Sequence, residues 1–229
     1  MIGALIARGR AADVFEAGPG RVLRRYREGE DTEREALVME HARRHGFPVP
    51  AVHDARGAEI VLERIEGRTM LADLAARPWR VRAHARLLGD LHRRLHAIEA
   101  PPELPSRLGD GPRLVHVDLH PDNVLLGPRG PVVIDWQAAG AGEPADDVAL
   151  AWVILATSEI PGPRATRALL GAGRDLFVDA FVNRAGREDA APRLASMAAV
   201  RLTDPHLTAG EQRAVRAFAG GAGGAGGPA

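Results

Sequence analysis

The hydrophobic rhythm of the chain changes about a third of the way along. Up to about residue 66 the apolar positions fall in short strand-like runs. Ile2 to Ala7 and Asp13 to Glu16 read as strands, and Arg21 to Tyr26 as a third after a Gly18-Pro19-Gly20 turn. Asp31-Thr32 opens a helix that runs to about Arg44 and is stopped by Gly46-Phe47-Pro48-Val49-Pro50. Ala51 to His53 and Glu59 to Glu63 read as two more short strands, and Gly67 follows where a hinge would fall. From Thr69 onward the spacing is mostly helical. Val81, Leu88, Leu91, Leu95 and Ile98 line one face of a helix that ends before Pro101-Pro102. Val124 to Leu126 and Val132 to Ile134 form a hairpin-like pair around Gly127-Pro128-Arg129-Gly130. Asp146 to Ser158 is helical, and amphipathic segments continue to about Phe218. The tail, Gly220 to Ala229, is rich in Gly and Ala and reads as disordered.

Composition narrows the classes. With 229 residues, 45 % of them apolar, the chain can bury the core of one large domain or of two small lobes that share a cleft. The formal net charge of zero argues against a nucleic-acid binder that works by bulk positive charge. The absence of cysteine excludes disulfides and thiolate chemistry. No apolar run approaches the length of a membrane span, and the apolar run before Arg8 is too short for a secretory signal, so a cytoplasmic protein is expected. Every basic side chain is arginine; lysine is absent, as a compositional bias would produce.

The segment that carries chemistry is His116-Val117-Asp118-Leu119-His120-Pro121-Asp122-Asn123, followed by the hairpin and then Val132-Val133-Ile134-Asp135-Trp136. Phosphoryl transfer asks little covalent chemistry of a protein: a carboxylate beside the acceptor hydroxyl, and ligands for a cation that holds the phosphates in line. Mg²⁺ prefers oxygen ligands and usually takes only one or two carboxylates besides phosphate. Asp118, Asn123 and Asp135 are such a set, and a tight hairpin would bring Asn123 and Asp135 together. A rival reading takes His116-x-Asp118-x-His120 as metal ligands of a hydrolase, but such a site needs further ligands from elsewhere. His92 and His96, one helical turn apart, could likewise be a metal pair or packing residues.

This ordered chain of segments resembles the aminoglycoside phosphotransferase family and the related choline and protein kinases, which read H-G-D-L-H-P-x-N, a hairpin, then I-D-W. The resemblance covers about residues 5 to 160. It implies an α+β, two-lobed protein-kinase-like fold with a small sheet-rich N-lobe (1–66), a mainly helical catalytic and substrate lobe (67–219) and the tail (220–229). It also implies that Asp118 is the catalytic base and that Asn123 and Asp135 bind Mg²⁺. Ala141-Gly142-Glu143-Pro144-Ala145-Asp146-Asp147 resembles the family's G-x-P-x-x-D, which makes Asp147 the brace of the catalytic loop. Val117 stands where the family has Gly and reads as a minor departure. His92 and His96 resemble the family's L-H-x-x-L-H helix, packed behind the catalytic loop.

On the nucleotide side, Gly9 to Asp13 would form the turn over the phosphates. Arg21-Val22-Leu23-Arg24 resembles the family's V-L-K, which puts Arg24 in the place of the phosphate-gripping lysine and sends Arg25 to the opposite face. Arg24 could also be an exposed strand residue. The family's partner carboxylate falls on Glu35, which also stands at capping-box spacing from Thr32. The strand Glu59 to Glu63 resembles the hinge strand, so backbone groups from Glu63 to Ile65 would meet adenine. The expected cofactors are ATP or GTP and Mg²⁺, and the expected partner is a small hydroxylated substrate, with no nucleic acid and no membrane. From Leu150 to Ala219 nine Arg stand against seven Asp and Glu, which is no acidic platform for a polycationic aminoglycoside. The competing class is a kinase-like nucleotide-binding regulatory module with little or no turnover.

Overall fold

The structure, a computed structural model, describes residues 3–9, 11–27, 31–159 and 164–224. Ile2 of the first expected strand, Arg10 of the expected phosphate turn and tail residues 225–229 lie outside it. Five antiparallel strands form the first sheet: β1 (Leu5–Arg8), β2 (Ala12–Glu16), β3 (Arg21–Tyr26), and, after helix α1 (Thr32–Arg44), β4 (Val52–Arg56) and β5 (Glu59–Glu63). Their order is β1-β2-β3-β5-β4, so β5 lies inside the sheet between β3 and β4. Asp31 caps α1 by accepting a hydrogen bond from the Arg34 N–H, and the Thr32 hydroxyl donates to the carbonyls of Gly57 and Glu59, which ties the helix start to the β4–β5 turn. Val38, Met39 and Ala42 bury the sheet-facing side of α1.

Strand β6 (Arg68–Thr69) leads into α2 (Met70–Ala76), and α3 (Val81–His96) follows. The apolar stripe of α3 is buried at Leu88, Leu91 and Leu95. Gly89 lets α3 approach the later helix α5 (Arg164–Ala185) closely, since a Cβ there would stand 2.8 Å from the Arg184 Cβ. Three short strands, β7 (Ser106–Leu108), β8 (Arg113–Val115) and β11 (Gly140–Gly142), make a small sheet of order β7-β11-β8. The sequence pattern did not show it, because each strand has too few residues to establish a period. Between them, β9 (Val124–Gly127) and β10 (Gly130–Val133) form the expected hairpin, with Gly127 opposite Gly130.

Helix α4 (Pro144–Thr157) is apolar nearly all round and runs through the middle of the helical part, where α5, α6 (Arg187–Ala190), α7 (Leu194–Arg201) and α8 (Ala209–Gly224) pack around it. Helix α8 continues to Gly224, past the Gly220 at which the tail was expected to become disordered. Glycine is unfavourable in a helix interior, so composition gave no reason to extend the helix past Gly220. No described helix is long and apolar enough to cross a membrane.

Candidate active site

The segment 116–123 is held from behind. Asp147, in the first turn of α4, accepts hydrogen bonds from the backbone N–H of Val117 (2.8 Å) and His116 (3.3 Å), and its Oδ2 lies 2.9 Å from His96 Nε2. Burial works against the Asp147 charge, but the His96 contact and the surrounding histidines outweigh it and hold the carboxyl well below the usual range. His96 therefore acts through Asp147, while His92 is buried against Phe181 with its Nδ1 on the Leu88 carbonyl. Both histidines pack behind the loop, and among the described residues no group of three or more His, Asp or Glu could hold a metal ion by itself. His116 is likewise a packing residue, edge-on to Trp136 and turned toward the Ile134 carbonyl.

Val117 is bound in the left-handed region at φ 72°. Reading its replacement of Gly as a minor departure is therefore corrected: a β-branched side chain is strained in that conformation, and glycine is not. Asp135 shares the conformation at φ 69°, which Asp tolerates far better.

In front of this brace, Asn123 Nδ2 donates to the Asp118 carbonyl (2.8 Å) and carboxylate (3.1 Å). His120, which the rival reading took as a metal ligand, has its Nε2 3.5 Å from Asp118 and 3.4 Å from Asn123 Nδ2. Burial pushes the Asp118 carboxyl up, but His120, His116 and Arg201 pull it further down, so it is ionised. Arg201, at the end of α7, is paired with Asp204 at 2.9 Å. The hairpin joins Asn123 to the Asp135 segment: Ile134 N–H donates to the Asn123 carbonyl at 3.0 Å.

Asp135 meets the first sheet through Arg24. One arm of the Arg24 guanidinium lies 2.6 Å from Asp135 Oδ1 and the other 3.4 Å from Glu35 Oε1. Glu35 is 1 % exposed, and its other contacts are the Tyr26 hydroxyl (2.7 Å) and the Trp136 N–H (3.3 Å). It thus faces this cluster and does not cap α1, a task that falls to Asp31. Burial raises the Glu35 carboxyl, against Arg24 and Tyr26, which lower it. Burial also opposes the Arg24 charge, yet Asp135, Tyr26 and Glu35 leave it held above its ordinary range. Arg25 points the other way, to Glu59 at 2.7 Å.

Two members of the cluster escaped the sequence reading. Tyr26 shares the Arg24 face by strand alternation, a signal that was available. Arg34 donates to the carbonyls of Gln137 (2.6 Å) and Ala139 (3.1 Å), far away in sequence, and nothing local announces that contact. In the expected hinge segment, the N–H of Glu63 goes to the Ala51 carbonyl and that of Arg64 to the Gly20 carbonyl, while the Glu63 side chain meets Arg129. Gly9 N–H bonds the Ala12 carbonyl at 2.8 Å across the expected phosphate turn. A cavity of about 660 Å³ lies elsewhere, walled by His96, Glu143, Glu188, Asp189 and Arg193; none of Arg24, Glu35, Asp118, Asn123 and Asp135 lines it.

This arrangement has known relatives. The phosphotransferase enzyme family matches residues 3–110 and 100–195. The chain belongs to that family. Phosphotransferase-family folds also appear among the solved structures. A choline/ethanolamine kinase family protein from Mesorhizobium loti is 17 % identical, with 96 % of this chain and 85 % of that one covered and a TM-score of 0.55. A thermostable mutant of the aminoglycoside phosphotransferase APH(4)-Ia is 18 % identical, with 99 % and 96 % covered and a TM-score of 0.65. An amicoumacin kinase in complex with AMP-PNP and Ca²⁺ is 15 % identical, with 98 % and 88 % covered and a TM-score of 0.53. At these identities the likeness is one of fold: two-lobed and protein-kinase-like, with a sheet-rich N-terminal part and a helical C-terminal part. No curated protein matches the chain in sequence.

Proposed function

We propose that this phosphotransferase moves the γ-phosphate of ATP, or of GTP, to a hydroxyl of a small molecule with Mg²⁺. The observation that carries the reading is Asp118, held by Asn123 on a loop braced by Asp147, with Asp135 linked through the hairpin and paired with Arg24. Residues 1–66 would supply the nucleotide lobe and 67–219 the catalytic and substrate lobe. The Glu63 carbonyl and Ile65 N–H would read the adenine edge, and Arg24, positioned by Glu35, would hold the phosphates.

The donor set fits Mg²⁺. Asn123 turns its Nδ2 to Asp118, so its Oδ1 is the atom available to a cation, and Asp135 adds a carboxylate. A cation that completes its shell with phosphate oxygens and water needs no third protein ligand. When bound, it offsets the phosphate charge. Asp118 orients the acceptor hydroxyl, whose oxygen bonds the γ-phosphorus as the nucleoside diphosphate leaves, and it takes the hydroxyl proton late in a loose transition state. Arg201 near Asp118 and the Arg excess of the C-terminal part favour a neutral or weakly charged acceptor over a polycation.

The test is consumption of ATP or GTP with Mg²⁺ across a pool of hydroxylated metabolites, followed by Asp118→Asn. That variant keeps size and removes the base. It is expected to cut turnover by roughly 10² or more and to leave nucleotide affinity within a few-fold. Near-normal turnover in the variant would overturn the mechanism. Tight nucleotide binding with no turnover across the pool would favour the regulatory module instead.

A further inference from the structure

The Arg24 guanidinium spans two carboxylates that differ in kind. Glu35 is fixed: it is buried, the Tyr26 hydroxyl donates to its Oε2, and the Trp136 N–H shares Oε1 with Arg24. Asp135 is 35 % exposed at its side chain and bound to Arg24 through Oδ1. The guanidinium also lies over the Tyr26 ring, 4.7 Å from its centroid, which fixes the plane of the fork. With one arm anchored on Glu35, the other is directed at Asp135. An ammonium donates all its hydrogen bonds from one point, whereas a planar fork reaches two carboxylates set apart at once.

From this geometry we infer that Arg24 is the resident counter-ion of Asp135, so that a divalent cation enters the site only together with nucleotide phosphates. The inference rests on the reading of Asp135 as a cation ligand. In the nucleotide-free protein an arriving cation would meet a carboxylate already paired at 2.6 Å, and would stand beside a part-buried positive charge. Phosphate oxygens change the balance. They offer the freed arm of Arg24 a stronger partner and supply the negative charge that lets cation and guanidinium share the site. Arg24 thereby sets the order of binding as well as gripping the phosphates, and it is a positioning residue for Asp135.

The probe is Mn²⁺ alone, titrated into the full chain without nucleotide and followed by the electron paramagnetic resonance of the free ion. Arg24→Met removes the charge and keeps an unbranched apolar stem. It is expected to bind Mn²⁺ at least about tenfold tighter than the unmodified protein, and the gain should vanish in the Arg24→Met, Asp135→Asn double variant. Equal binding by the unmodified and Arg24→Met proteins, tight or undetectable, overturns the inference. A gain that survives Asp135→Asn does so as well, because the ion then sits elsewhere. If Arg24→Met does not fold, Arg24→Lys carries the test: it keeps the charge and loses the fork, and should gain Mn²⁺ affinity by about threefold or more. No gain there overturns the inference. Neither nucleotide nor acceptor enters this measurement. A protein that fails it can still transfer phosphate, and one that passes it without turnover tells against the phosphotransferase reading alone.

Discussion

Single residues in this protein carry costs that only their surroundings explain. Val117 is held at φ 72° because its N–H is pinned to Asp147, and the strain of a β-branched residue there is of order 1–3 kcal/mol. Val117→Gly is expected to raise stability by about 1 kcal/mol in urea unfolding, the relieved strain outweighing the entropy of Gly and the partly buried valine methyls. Val117→Ala should gain less. His92 poses the opposite problem, a titratable ring with no exposure. Burial pulls it down to about 4, against the opposing charge of Asp147, and burial lowers His116 too. An unfolded histidine takes its proton near pH 6.5. Below that pH the unfolded state binds protons that folded His92 refuses, so stability falls as pH drops from about 6.5 to 4, by roughly 3 kcal/mol for His92. Asp147 acts in a different window. Its folded carboxyl is depressed, so its contribution is complete above the unfolded carboxylate range and is lost only at more acid pH. Urea midpoints measured against pH should therefore slope between 6.5 and 4, and His92→Leu should flatten that slope even if it lowers the absolute stability. An unchanged slope would mean that other groups carry the titration.

At the scale of elements, α1 is the part that joins the two halves of the site. Adjacent residues divide the work. Glu35 receives Arg24, Tyr26 and the Trp136 N–H, and Arg34 clamps the carbonyls of Gln137 and Ala139. The loop after the helix adds a further tie, the Val133 N–H donating to the Pro48 carbonyl at 2.8 Å. Trp136, wholly buried between Phe47 and His116, fills the space beneath. Arg34→Ala would leave two carbonyls without their charged donor, at a cost of about 1–3 kcal/mol. It is expected to speed amide hydrogen exchange across residues 136–139 and to leave the β4–β5 turn, tied through Thr32, protected. Uniform loss of protection would instead mean that Arg34 supports the whole fold. The extent of α1 was plain from its cap and its Pro-containing stop, and the pairing of Arg24 with Glu35 was expected from resemblance. The Arg34 clamp was not legible, since its partners are backbone carbonyls, which carry no side-chain signature.

For the whole molecule, the passage from sheet to helices runs through Gly67. It adopts φ 156°, and a Cβ there would stand 2.4 Å from the Leu126 carbonyl oxygen. The glycine is needed for a close approach, in which β6 pairs antiparallel with β9, Arg68 opposite Leu126 and Thr69 opposite Leu125. Gly67→Ala should cost about 2 kcal/mol or more by thermal or urea unfolding, because the obstacle is backbone and cannot swing away. A neutral effect would show that this passage gives more freely than its packing suggests.

Read by itself, the sequence determined the strand-then-helix succession, the main helices, the hairpin and the position of each candidate group along the chain. It could do so because alternation, helical spacing, caps and turn residues are local signals, and because the segment from His116 to Asp147 keeps its chemistry in a fixed order. The tertiary structure decided what those groups do to one another. It chose, of the two readings of Glu35, the partner of Arg24 over the cap, placed His120 beside Asp118, gave His96 to Asp147, and made Val117 a strained residue. It also set one arginine between two carboxylates that lie 11 and 111 positions away in the chain. Such pairings are fixed by how the sheet, α1 and the hairpin pack together, and packing is a property of distances that no local pattern records.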